Sequence, residues 1–113
     1  MNIRYIARKR GEGKTQKLIE VLEECARAGI PCVVYHAFSK DTDDFIHSFI
    51  NHVGCHPNSM NIKFINASQF PREVFADNTT FFVDDLAKNF PSFLHYGAQF
   101  TLIATINAED VRY

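Results

Sequence analysis

The chain has 113 residues, 46% of them hydrophobic, with eleven Phe and a formal net charge of −1. That length predicts one compact domain spanning residues 1–113, and the apolar content supplies its core and excludes a disordered chain. A near-neutral balance argues against a general nucleic-acid or membrane-surface binder, whose domains carry a clear positive excess.

The charge is unevenly spread. Six of the twelve Lys and Arg residues (Arg4, Arg8, Lys9, Arg10, Lys14 and Lys17) fall in the first seventeen positions, opposed there only by Glu12. A local anion site fits this better than a field over the whole surface. The three cysteines, Cys25, Cys32 and Cys55, are odd in number and scattered. They do not form a disulfide framework, which points to a reducing cytoplasm. No apolar run approaches the roughly 20 residues of a membrane span, and the N-terminus lacks a secretory apolar region.

In chain order, residues 2–6 form the first strand, followed at once by a glycine-rich turn. From Thr15 the spacing of Leu18, Ile19, Leu22, Cys25 and Ala26 predicts a helix, stopped by Gly29 and Pro31. Residues 32–35 read as a buried strand. Ser39 or Asp41 can cap a second helix carrying Phe45, Ile46, Phe49, Ile50 and Val53 and ending at Gly54. Residues 62–65 form a third strand, and Ser68 caps a short helix through Val74 and Phe75. Residues 80–83 form a strand that ends in Asp84-Asp85. The stretch 86–96 reads as helical, broken or restarted at Pro91. Residues 100–106 complete the pattern as a long apolar strand.

Strands apolar on both faces, alternating with helices, predict a three-layer α/β sandwich around a mostly parallel sheet of about five strands. Ligands bind beyond the carboxyl ends of such strands, where the chemically suggestive residues lie.

Gly11-Glu12-Gly13-Lys14-Thr15 stands between a strand and a helix. Gly11 and Gly13 permit positive φ and let bare backbone approach phosphate oxygens. Their amides, with the amides at the start of the helix through Gln16, offer donors to an anion. A Gly-rich turn with solvated basic residues would look similar. The Phe81-Phe82-Val83-Asp84-Asp85 strand places two carboxylates at its tip, and the last strand ends on Thr105-Ile106-Asn107.

The first segment resembles the Walker A motif of P-loop nucleoside triphosphatases, with one departure: Arg8 stands where the family has its first Gly. Residues 81–85 resemble Walker B, and residues 102–107 look like the sensor strand of AAA and related ATPases. The order of these elements is similar to the branch with an additional strand between the loop strand and the acidic strand, and the likeness runs from Ile3 to Asn107.

The resemblance implies binding of ATP or another nucleoside triphosphate by Gly11, Glu12, Gly13, Lys14, Thr15 and Gln16. It implies Mg2+ held by Thr15 and Asp84, with Lys14 on the β and γ phosphates. Asp85 would polarise water in a position where many members carry Glu, and Asn107, or second Thr105, would sense the γ phosphate. The chain resembles a minimal core of the kind encoded by some bacteriophages, which implies a host cytoplasm. It lacks the family's later elements and an evident arginine finger. Arg72 and Arg112 are the candidates, and self-association or a protein partner would otherwise supply the charge. Two rivals stand beside an ATPase: a non-catalytic, nucleotide-gated interaction module, and a small phosphotransferase, for which the sequence offers no acceptor pocket.

Other residues have simpler accounts. His52 and Cys55 have ligand-like spacing, with His47 and His56 near, but a helix C-terminus favouring His explains them without zinc. Phe45, Phe49, Phe64, Phe70, Phe75, Phe81, Phe82, Phe90 and Phe93 read as core, as do Cys25 and Cys32. Arg8, Lys9 and Arg10 are either a solvated cluster or contacts to phosphates or single-stranded nucleic acid.

Overall fold

Each apolar run of the sequence becomes a strand of one sheet. A computed structural model describes residues 2–9, 11–67, 75, 78–89 and 100–108. Within them lie β1 (Asn2–Arg8), α1 (Lys14–Arg27), β2 (Cys32–His36), α2 (Ser39–Val53), a 3-10 turn (Pro57–Met60), β3 (Ile62–Asn66), β4 (Thr80–Val83) and β5 (Thr101–Asn107). The expected helix from Ser68 lies outside the described residues except for Phe75. Of the expected helix at 86–96, residues 86–89 form turns and the remainder lies outside the described residues.

The five strands form one sheet in the order β1-β5-β4-β2-β3, and every pairing is parallel. The expected α/β architecture with a five-stranded parallel sheet therefore holds. The sheet is cored on both faces, as a three-layer sandwich requires. On one face Leu18, Ile19 and Leu22 of α1 and Phe45 and Phe49 of α2 pack with Ile6, Val34, Phe82 and Ile103. On the other, Val33, Tyr35, Ile65, Phe81, Val83, Leu102 and Ala104 cluster with Phe75, Leu86 and Phe100 against them. Phe81 touches both Phe75 and Phe100 edge-on, with centroids at 5.2 Å and 4.6 Å. Cys32 is a small buried residue, its thiol pushed up to about 12 by burial.

Two local expectations need correction. The second helix is capped by neither Ser39 nor Asp41: Phe38 is the N-cap, with no side-chain cap bond, and Ser39 and Asp41 lie inside the first turn. The first helix begins at Lys14, at the expected junction with the glycine turn. The first strand runs on to Arg8 and is exposed except at Ile6, because among the described residues it is an edge strand with β5 alone beside it. Periodicity cannot distinguish an edge from a centre. Gly54, at φ 91°, ends α2 as expected and donates its amide to the Ile50 carbonyl at 2.9 Å.

Among the described residues, no helix is long and apolar enough to cross a membrane. Phe49 is fully buried between α2 and the sheet. Phe49→Ala should lower unfolding free energy by about 3–5 kcal/mol, measured by urea denaturation, since the cavity adds to the lost transfer term.

Candidate functional site

Parallel strands bring their carboxyl ends to one rim, and the acidic pair, the glycine turn and the end of β5 meet there. β1 leads directly into the turn, where Gly11 (φ 78°) and Gly13 (φ 75°) take left-handed conformations open to glycine at little cost. A Cβ on Gly13 would also meet the Gln16 side chain at 3.4 Å. The Glu12 amide closes the turn on the Lys9 carbonyl at 3.1 Å, and Lys17 N–H bonds the Gly13 carbonyl at 3.0 Å. Gly13 is the N-cap of α1 and has no side chain to cap it, and no acid lies in the first turn. The amides of Lys14, Thr15 and Gln16 therefore form a positive helix end with no carboxylate of that turn to offset it.

Arg8 does not disturb this turn. It ends β1 opposite Asn107 in ordinary strand pairing, with no positive φ, so the position has no need of glycine here. Its guanidinium reaches back to the Glu12 carbonyl at 3.4 Å, a long contact on the outside of the loop.

Asp84 is the hub of the rim. Thr15 Oγ1 donates to Asp84 Oδ2 at 2.7 Å, and Thr105 Oγ1 donates to Asp84 Oδ1 at 2.6 Å. The same Thr105 oxygen accepts the Asp85 amide at 2.7 Å, and the Leu86 amide bonds the Thr105 carbonyl at 2.9 Å. Asp85 sits at φ 55°, a conformation that Asp tolerates better than most residues. Its carbonyl accepts from Lys88 and Asn89 amides at 3.1 Å and 3.0 Å. Buried Asn89 donates to the Asp84 carbonyl and accepts from the Ala37 amide, both at 2.9 Å, which joins the acidic turn to the end of β2.

Two clefts open on this rim and share Thr15 and Ser48. One, about 590 Å³, lies over Gly11, Gly13, Lys14, Thr15 and Gln16, with Ser48, Asn51 and His52 of α2 opposite. The other, about 220 Å³, is lined by His36, Asp41, Asp44, Phe45, Asp84, Asp85, Lys88 and Asn89 as well as the two shared residues. Asp41, Asp44, Ser48 and Asn51 are spaced as one face of α2, so a single polar stripe walls both clefts. The first is cationic and amide-lined. The second carries four carboxylates against the one ammonium of Lys88, which lies 3.2 Å from Asp41 Oδ1.

His36, 2% exposed, lies at the base of the second cleft with its ring 5.4 Å from that of Phe45. Burial lowers its pKa from the usual 6.5, against the opposing pull of the Asp84 and Asp41 carboxylates. Its Nδ1 and Asp41 Oδ2 are both buried without a hydrogen-bond partner.

The structure thus brings Gly11, Gly13, Lys14, Thr15, Gln16, Asp84 and Asp85 to two adjoining clefts. The Glu12 side chain is exposed and lines neither. Asn107 is buried at the end of β5, level with Arg8, and it is Thr105 that touches Asp84. Arg10, Arg72 and Arg112 lie outside the described residues. His52, in the last turn of α2, approaches Glu20 at 3.8 Å. Among the described residues no group of three His, Cys, Asp or Glu is arranged to hold a metal.

Sequence reasoning missed His36, Asn89 and the α2 stripe. The stripe was readable from its 3-4-3 spacing, and His36 as a polar residue closing a buried apolar run. Asn89 gave no sequence signal. No family model, curated protein or solved structure matches the chain.

Two outcomes test this network. Thr105→Val keeps the side chain's shape but leaves the Asp85 amide and one Asp84 oxygen without their partner, so stability should fall by about 1–3 kcal/mol in urea denaturation. The lowered pKa of His36 means that, as pH falls through the ordinary imidazole range near 6.5, the unfolded chain takes up a proton that the folded chain refuses. This contribution to stability is present above that range and lost on acidification. Melting temperatures recorded from pH 8 downward (about pH 8 to 5, spanning the usual imidazole range) should decline less steeply in His36→Phe than in the parent.

Proposed function

We propose that the chain binds a nucleoside triphosphate with Mg2+ in the cleft over Gly11–Gln16 and transfers its γ-phosphoryl group to water. The observation that carries this reading is the 2.7 Å bond between Thr15, first-turn hydroxyl of α1, and Asp84, the acid ending β4. It sets a hydroxyl and a carboxylate side by side at the mouth of an amide-lined cleft.

The donor set fits Mg2+. Adjacent ligands on an octahedral ion with bonds of about 2.05 Å lie about 2.9 Å apart, close to the separation already present between the two oxygens. Such an ion takes one or two protein oxygens and fills its other positions with phosphate and water. When bound, it would neutralise charge developing on the β and γ phosphates.

The chain's own groups divide the remaining work. Free amides at Lys14, Thr15 and Gln16 and the left-handed turn at Gly11 and Gly13 cradle the phosphates, and Lys14 adds an ammonium group. Thr105 fixes the Asp84 carboxylate and, through the Asp85 amide, the backbone of the next acid. Asp85 is the base for the attacking oxygen. The strand order also supports the reading, since β5 lies between β1 and β4, as in the additional-strand branch that the sequence resembles. Thr105 takes the sensing position in preference to Asn107, on its contact with Asp84. ATP is the expected nucleotide.

A non-catalytic, nucleotide-gated module is the second reading, favoured by the short Asp at position 85 and by the absence of an arginine facing the cleft among the described residues.

Calorimetry with Mg-ATP, paired with a phosphate-release assay, decides between them. The parent should bind and release phosphate. Lys14→Ala and Asp84→Asn should each weaken binding by about tenfold to a hundredfold, the effect of losing one charge-assisted contact. Binding without release selects the gated module, and no heat in the parent removes the nucleotide altogether.

A further inference from the structure

The second cleft has room for more than an attacking water. At about 220 Å³ it holds the equivalent of about seven waters, taking roughly 30 Å³ for each. It adjoins the phosphate cleft through Thr15 and Ser48, and Asp84 and Asp85 both line it. Two polar atoms of its lining residues, His36 Nδ1 and Asp41 Oδ2, are buried and unpartnered. Leaving such atoms unpaired is costly to a fold, so a ligand that pairs them has a built-in advantage.

We propose that this pocket takes a small polyhydroxylated alcohol as the acceptor of the γ-phosphoryl group. The inference rests on the nucleotide reading above and adds, beside water, an acceptor of defined class. Chemistry selects the class. Burial holds His36 neutral, so its ring offers one donor and one acceptor, while Asp41 Oδ2 only accepts. A hydroxyl both donates and accepts and satisfies either atom. An anion would face the carboxylates of Asp41, Asp44, Asp84 and Asp85. An ammonium group can only donate, and it would lie beside Lys88, which already pairs with Asp41. The volume has room for a molecule between a triol and a pentose.

In the transfer, one acceptor hydroxyl gives its proton to the Asp85 carboxylate as its oxygen forms a bond to the γ phosphorus. The bond from that phosphorus to the β,γ-bridging oxygen breaks, and its electron pair leaves with the nucleoside diphosphate. The products are the diphosphate, a phosphomonoester and a proton that Asp85 returns to solvent. His36 and Asp41 hold the remaining hydroxyls and so orient the reacting one.

The test uses the full chain labelled with 15N, its His36 imidazole signals assigned by comparison with His36→Gln. Glycerol, erythritol and ribose are titrated separately, first without nucleotide and then with Mg2+ and a non-hydrolysable ATP analogue. At least one polyol should give a saturable shift at His36, and Asp41→Asn should weaken that titration about tenfold. Ser48→Leu, which narrows the same pocket from the exposed face of α2, should do so even if Asp41→Asn fails to fold. With Mg-ATP the same polyol should yield its phosphomonoester. No saturable shift with any of the three, or phosphate release without a phosphomonoester, overturns the proposal. Calorimetric ATP binding separates the two levels: ATP bound with His36 unmoved sinks the acceptor alone, whereas His36 shifted with no ATP bound sinks the nucleotide reading and the acceptor role together.

Discussion

One carboxylate receiving two hydroxyl groups organises the whole rim. Asp84 takes Thr15 on one oxygen and Thr105 on the other, and so ties the first turn of α1 to β4 and β4 to β5. A part-buried carboxylate is stable where its lone pairs are met by donors, and here both donors come from distant parts of the chain. The glycine turn cannot swing away from the acidic strand without leaving that carboxylate half-satisfied. Nor can Asp85 leave its left-handed conformation without giving up its amide bond to the same Thr105. Local strain and long-range pairing support each other.

Much of the architecture was legible because it rests on period and punctuation. The runs at 32–35 and 80–83 are apolar on both faces, as strands buried in a parallel sheet must be, while 62–65 carries exposed Lys63 at the other edge, and each forms a strand at nearly the bounds read from sequence. Gly54 closes α2 as a left-handed cap should. What could not be read is set by which strand neighbours which. The exposure of β1 follows from its place at the edge, and the contact of Thr105 with Asp84 follows from β5 lying beside β4. Asn107 lies two residues further along β5, past the end of β4, in register with Arg8. Alternation puts both polar residues on the same face of the strand, so sequence alone ranks them no better than by position.

Arg8 leads into the glycine turn in a conformation that does not require glycine. Glycine is needed where φ is positive, and the left-handed positions of this loop are Gly11 and Gly13. Position 8 is extended and paired with β5, a conformation open to any side chain. The remainder of the site is polarised: amides and Lys14 gather at one end of the α2 stripe, carboxylates at the other. Thr15 and Ser48 sit at the junction. A ligand lying along the stripe would therefore pass from a positive to a negative environment, which fixes its direction.

The pairing of β1 with β5 joins Asn2 to Thr101, nearly the full span of the chain. Among the described residues β1 has no other strand beside it, so the loop strand enters the sheet only once β5 is in place. Closing so long a stretch of backbone must be met by contacts made elsewhere first, which favours slow folding and late completion. On a ribosome, β1 would then dock only after β5 has emerged, and the glycine turn that follows β1 would acquire its shape only after that.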